Sequence, residues 1–256
     1  MASSMKLSHL TKLWASSRRV AGTGNRFLLF DAREGSGVPK DPARIAELCL
    51  KHSWQPDGVL VIESTDTADA FMRIWNCDGS EATFCGNGLR CVALSLGQGV
   101  HVIETRAGRS ITSVEGTMVT AALPQLKVLN PHLISQGLEG AYLYTGTEHF
   151  VAEVASLKGY NLQEIGPRIR YDAQFAPFGA NVNLYTMDSK GIHVRTYEKG
   201  VERETVSCGS GSAAVAYAVL FQKQAAHCTI QVSNSEALSF FLEGGQLFMC
   251  GKALLL

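Results

Sequence analysis

The chain has 256 residues, 46% of them hydrophobic, and its 23 Lys and Arg balance its 23 Asp and Glu. That length suits one large domain or two lobes, and the balanced charge argues against a nucleic-acid or membrane-surface partner, because both need a basic excess. The seven cysteines are odd in number, irregularly spaced and without a CxxC pair, which fits reduced thiols in a cytoplasm and argues against a disulfide framework or a structural zinc site.

In chain order, the opening MASSMKLSHLTKLWASSRRV is basic, Ser-rich and free of acids. It hints at a transit peptide, but the preferred reading is a short flexible lead into the first strand. A strand is predicted at 27–31, and then a helix at 41–52, where Asp-Pro supplies an N-cap and N1 pair ahead of apolar residues at helical spacing. Strands follow at 58–63 and 71–76, and a nearly all-apolar helix at 87–97. Further strands fall at 101–105, 118–123, 149–154, 181–186 and 191–198. A second all-apolar helix covers 211–226, and the last strands are 228–232 and 238–243. Most of the strand segments alternate apolar with polar residues, as half-buried strands do. Pro and Asn cluster in ALPQLKVLNPHL, 122–133, which marks the expected hinge. No apolar run reaches the roughly 20 residues that span a bilayer.

Each buried helix follows a cysteine and a Gly-x-Gly turn. Phe84–Cys91 reads FCGNGLRC, and Cys208–Ser212 reads CGSGS. The echo suggests internal duplication, with a lobe over 1–124 to which 249–256 returns and a second lobe over 125–248. A helix start carries unpaired N–H groups and the positive end of the dipole. It holds anions and favours a thiolate. Two such cysteines could face one carbon from opposite sides, one removing a proton and the other returning one. A carboxylate would then be held by the amides of Gly86, Asn87, Gly209 and Ser210, which also stabilise the charge left when the α-proton departs. The scheme uses no cofactor and no metal. Cys49, Cys77, Cys91, Cys228 and Cys250 read as ordinary buried thiols. GxGxxG spacing is absent at both turns, and no GK[ST] occurs.

The chain resembles the diaminopimelate epimerase family, the cofactor-independent two-cysteine epimerases of lysine and peptidoglycan biosynthesis. The resemblance is carried in order by GTGNRFLLFD (22–31), PDGVLVIE (56–63), RIWNCDGSEATFCGNGLRC (73–91), GTEHFV (146–151), GANVNL (179–184) and VRTYEKGVERETVSCGSG (194–211). It implies an α+β fold of two pseudo-symmetric lobes, each a curled mixed or antiparallel sheet wrapped around a central helix, with the active site in the cleft between them. It implies Cys85 and Cys208 as the acid/base pair and His149 and Glu198 as groups that tune them. Asn25, Asn76, Gly86, Asn87, Thr147, Asn181, Glu198, Lys199, Gly209 and Ser210 would bind a small amino-acid substrate in a cytoplasmic enzyme, with a homodimer as a further possibility.

The sequence departs from the family pattern in several places. Thr147-Glu148 replaces Asn-Pro before the His, and Lys199 replaces Arg after the Glu, which keeps the charge but loses the bidentate fork. An extra residue in GVERET makes Arg203 a second candidate for that guanidinium, and Arg26 stands where an Asp opens the family's first segment. The tail GKALLL lacks the aromatic residue often found near the family's dimer contact. The alternatives are a racemase of another amino acid, such as glutamate or histidine, on the same fold; a proline-racemase-like enzyme; and a phenazine-biosynthesis-like isomerase or non-catalytic relative, which would lack the paired cysteines. A thiol oxidoreductase pairing Cys85 with Cys208 is disfavoured by the missing CxxC.

Overall fold

Strands dominate the computed structural model, which describes residues 7–35, 38, 40–124, 126–205, 209–232 and 236–256, the side chains of 7–9 excepted. The chain forms two compact units, Met1–Ala122 with Gly251–Leu256, and Leu123–Cys250. The first contains α1 (Leu7–Ser16), β1 (Arg18–Gly22), β2 (Asn25–Asp31), α2 (Pro42–Leu50), β3 (Gly58–Glu63), β4 (Ala70–Asn76), β5 (Glu81–Ala82), α3 (Gly86–Leu96), β6 (Gly99–Thr105), β7 (Gly108–Glu115) and β8 (Met118–Ala122). The second contains β9 (Lys127–Ser135), β10 (Leu138–Tyr144), β11 (Glu148–Glu153), α4 (Leu162–Arg170), β12 (Asn181–Asp188), β13 (Gly191–Glu198), β14 (Arg203–Thr205), α5 (Gly209–Lys223), β15 (His227–Gln231) and β16 (Ala237–Glu243). The last strand, β17 (Gln246–Leu255), contributes to both units.

In the first unit, β2 runs parallel to β3 and β4 parallel to β6, while the other neighbouring pairs are antiparallel. The end of β17 pairs with β1 and also with β8, which closes the sheet into a barrel. Helix α3 packs against β1, β2, β3, β4, β6, β7 and β8 and so fills the barrel. The middle of β2 and nearly all of β3 are buried on both faces. Phe27, Leu29, Leu60 and Ile62 face α3, with Leu89, Val92 and Ala93. Leu28, Phe30, Val59 and Val61 face the other way, against Leu10 and Leu13 of α1 and Ile45 and Leu48 of α2. Two-sided burial explains why these strands are continuous apolar runs.

The second unit repeats the scheme. Its strands run in the order β9–β10–β11–β12–β13–β15–β16–β17, with β11 parallel to β12, β13 parallel to β15 and the rest antiparallel. Helix α4 occupies the place of α2, between the two strands of the first parallel pair, and the short β14 pairs with β13 as β5 does with β4. Helix α5 packs against β10–β13, β15 and β16, as α3 does in its own unit. Alternate residues of β11 and β12 face opposite sides. Phe150, Ala152, Val182 and Leu184 join the cluster that contains Leu162 and Ile169 of α4. The α+β class, with duplicated lobes each built around a central helix, is therefore present.

The structure corrects two readings: Cys77 is exposed, not buried, and residues 7–16, in the lead before the first strand, form a helix and not a flexible segment. Leu10, Leu13 and Trp14 recur at helical spacing and pack into the cluster beneath α2, with Leu10 completely buried. The expected hinge at 122–133 holds the boundary between the two units, at Ala122 and Leu123, although most of it is strand, because β9 begins at Lys127 and pairs with β10 through a bulge. Its exposed Val128 and Leu129 were hidden by the Pro and Asn around them.

Candidate active site

Cys85 is the N-cap of α3, with φ −150° and ψ 114°, and its Sγ accepts a hydrogen bond from Gly88 N at 3.4 Å. Burial pushes its thiol above the ordinary cysteine range, opposed by the Gly88 and Asn87 amides and the Arg90 charge. The side chain nevertheless keeps part of its surface accessible. The N–H groups of Gly86 and Asn87, in the first turn, have no place in the i to i−4 ladder and can hold an anion.

Asn25 meets Asn87 at the first turn of α3. Asn87 Nδ2 donates to Asn25 Oδ1 at 2.8 Å and to Thr23 O at 3.1 Å. Arg90 ties them down. Its Nη2 donates to Asn87 Oδ1 at 2.7 Å and to Thr23 Oγ1 at 2.8 Å, and its Nη1 donates to Gly86 O at 3.4 Å. The guanidinium is completely buried. Thr23 sits at φ +36°, an uncommon conformation for a β-branched residue, held by these two bonds. Sequence reasoning assigned no role to Arg90 or Thr23. The signal was a single charge in an otherwise apolar helix, which must be paired to be buried. Asn76 ends β4, where its Nδ2 donates to Ser80 Oγ at 3.0 Å within a turn.

In the second unit, His149, the second residue of β11, lies opposite Asn181 of β12. Asn181 Nδ2 donates to Glu148 O at 2.9 Å, and Asn181 Oδ1 accepts from Lys199 N at 2.8 Å. Lys199 Nζ forms an ion pair with Glu148 Oε2 at 2.5 Å, and Thr147 Oγ1 lies 3.4 Å from the same oxygen. The two departures from the family pattern, at Thr147-Glu148 and at Lys199, are thus one connected unit. Glu198 Oε2 accepts from Thr205 Oγ1 at 2.8 Å. Gly209 and Ser210 begin α5, and Thr145 Oγ1 donates to Ser210 O at 3.1 Å, which fixes the helix start against the turn that leads into β11. Arg203 is exposed on β14 and makes no ion pair among the described residues. Cys208 lies outside the described residues.

His149 is completely buried, and its pKa is lowered to about 3, first by burial and then by the Lys199 charge. The imidazole is therefore neutral in the working range.

Residues 20–121 and 141–256 match the family described as diaminopimelate epimerase. The chain belongs to the diaminopimelate epimerase family. That family is one of isomerases. The chain is 36% identical over 251 residues to the diaminopimelate epimerase of Chlamydia muridarum, covering 92% of this chain and 90% of that one. It is 33% identical over 259 residues to that of Methanothrix thermoacetophila, covering 92% and 91%. Among solved structures, the fold is shared with a probable proline racemase from Agrobacterium radiobacter K84, at TM-score 0.67 and 16% identity over 94% of this chain and 90% of that one. It is also shared with a PhzF-family phenazine biosynthesis protein from Enterococcus faecalis, at TM-score 0.67 and 13% identity over 93% and 95%. No helix among the described residues is long and apolar enough to cross a membrane.

Proposed function

We propose that the chain interconverts LL- and meso-diaminopimelate by two-base proton transfer at the α-carbon, with Cys85 and Cys208 as the pair. One sulfur, as thiolate, takes the α-proton; the other, as thiol, returns a proton to the opposite face, and the configuration inverts. The carboxylate rests on the first-turn amides of α3 and α5, Gly86 and Asn87 with Gly209 and Ser210, which stabilise the charge that spreads onto it as the proton leaves. Burial keeps Cys85 protonated at rest, so it enters as the acid when Cys208 is the base. Asn25, held by Asn87, together with Asn76, Thr147, Asn181, Glu198 and Lys199, orients the amino acid. The observation that carries the proposal is a family match over both halves of the chain together with a cysteine capping a buried helix whose next residues are Gly86 and Asn87.

The far end of the substrate would meet Lys199 and Glu148. Lys199 lacks the planar fork of an Arg, and Glu148 neutralises its charge. The pair offers one group to a distal carboxylate and one to a distal ammonium, as an amino acid carried at both ends requires. The same reading extends to a cytoplasmic location and to a homodimer, which sedimentation velocity checks. A panel of amino acids incubated in D₂O without added cofactor, with α-proton exchange followed by NMR, tests substrate and chemistry together. Diaminopimelate should exchange fastest. Faster exchange of glutamate or histidine would favour the racemase alternative.

A further inference from the structure

We propose that Asn183, itself held by Thr196, is a positioning residue that keeps the His149 proton on Nε2, so that His149 acts in the reaction as a hydrogen-bond donor and not as a base. His149 in β11 and Asn183 in β12 lie on neighbouring parallel strands, and Asn183 is directly opposite Thr196 of β13. All three side chains are buried. Asn183 Nδ2 lies 3.0 Å from His149 Nδ1, 3.2 Å from Phe150 O and 3.5 Å from Asn181 O, while Asn183 Oδ1 accepts from Thr196 Oγ1 at 3.0 Å.

The chemistry of these neighbours decides which amide atom is which. Phe150 O can only accept, so the amide atom facing it must be the NH₂ group; turning the amide over would set two carbonyl oxygens against each other inside the protein. One N–H of that group serves the backbone carbonyls, and the other points at His149 Nδ1. A nitrogen that accepts a hydrogen bond carries no proton, so in the neutral ring the proton is on Nε2. The opposite tautomer would bring Nδ1–H against the Asn183 NH₂, two donors face to face. The low pKa of His149 agrees, because a neutral ring must have one of these two tautomers.

Nε2–H is itself buried and finds no hydrogen-bond partner among the described residues. A buried donor left open costs about 1–3 kcal/mol and is rare in native structures. Helix α5, whose start is bonded through Ser210 to the turn before β11, packs on β11 and β12. On the function proposed above, on which this inference rests, Nε2–H is held ready to donate to a group that takes part in the reaction. A hydrogen bond donated by Nε2–H favours the negatively charged form of whichever group accepts it. A proton taken up by His149 would instead create a buried imidazolium beside Lys199.

¹⁵N correlation NMR of histidine-labelled protein reads the tautomer without reference to activity. In the native protein, His149 Nδ1 should appear as a bare nitrogen and Nε2 as a protonated one; the reverse pattern overturns the proposal. Asn183→Asp presents a carboxylate to Nδ1 and should draw the proton onto it, with kcat for diaminopimelate falling about 100-fold, the size of effect that follows loss of one preorganised donor, and KM little changed. An Asn183→Asp protein whose tautomer is inverted but whose kcat is native also overturns the proposal. If that variant does not fold, Thr196→Val, which frees the amide to rotate, should give a mixture of both tautomers and an intermediate kcat; native values of both overturn the proposal equally. Absence of α-proton exchange by the native enzyme on every amino acid would defeat the proposed function, and with it the role of His149, while leaving the tautomer assignment intact.

Discussion

Arg90 sets the shape of the first half of the candidate site. Its guanidinium joins Thr23, Gly86 and Asn87, and a completely buried cation survives only if such partners are in place. Arg90→Met leaves Thr23 and Asn87 without their donor and should lower unfolding stability by about 3–5 kcal/mol, the usual effect of breaking a buried charged network, as read from urea unfolding. Arg90→Lys should recover little of the loss, because one ammonium cannot replace two parallel N–H groups. Lys199→Ala should raise KM for diaminopimelate by about tenfold, corresponding to roughly 1.4 kcal/mol of lost contact, with a smaller change in kcat. An unchanged KM removes Lys199 from the substrate site. Cys85, Asn25 and Asn87 could be picked out from their motifs. Their mutual bonds could not, because Thr23 and Asn87 lie 64 residues apart and only the fold brings them together. Nor could the Lys199–Glu148 pair, which sequence alone showed as two separate departures.

At the level of elements, close approach of β1 to α3 shapes the region around Cys85. A Cβ on Gly22 would lie 2.8 Å from Asn87 O and 3.1 Å from Cys91 Sγ; one on Gly88 would lie 2.8 Å from Leu60 Cδ2. The first obstacle is backbone, and the second is the end of a side chain that can turn. Gly22→Ala should therefore cost about 1–3 kcal/mol and lower activity, because α3 carries Cys85 at its start. Gly88→Ala should cost less, since the gain in helix propensity, up to about 1 kcal/mol, offsets the contact. Equal midpoints for the two variants in urea would contradict this. The helices α2, α3 and α5 and ten of the strands could be read from periodicity and from the cysteine turns. Strands β7, β9, β10 and β17 could not. Exposed Ile111 of β7, Val128, Leu129 and Ile134 of β9, and Leu255 of β17 blur the alternation of apolar and polar that marks a half-buried strand. Helix α1 is not legible in the sequence, because the basic, Ser-rich composition around the Leu10–Leu13–Trp14 stripe is equally that of a flexible lead.

For the whole molecule, the repeated strand order of the two units matches the repeated cysteine turns, so the duplication suggested by CGNG and CGSG extends to topology. Stability should fall at both ends of the pH range. Burial raises the Cys49, Cys91 and Cys228 thiols from 9.0 to about 12. Groups whose pKa is raised on folding contribute stability in full below the unfolded value, and that contribution is lost as the pH climbs from about 9 toward about 12. His149 shifts the other way, from 6.5 to about 3, so its contribution is present above 6.5 and is lost as the pH falls toward 3. Urea midpoints measured across the range should form a plateau near neutrality with a fall on each side. The alkaline fall should be shallower in Cys91→Ala. A midpoint that continues to rise above pH 9 would contradict the thiol assignments.

The central claim is that two different sulfurs handle the proton on opposite faces of one carbon. It is tested most directly by starting from LL-diaminopimelate alone in D₂O and following both stereoisomers by NMR through the first few per cent of turnover. Two-base transfer predicts that the meso product carries deuterium at the inverted centre from the outset, while the remaining LL-isomer keeps its protium. Deuterium entering substrate and product at equal rates would show a single base serving both faces and would contradict the account.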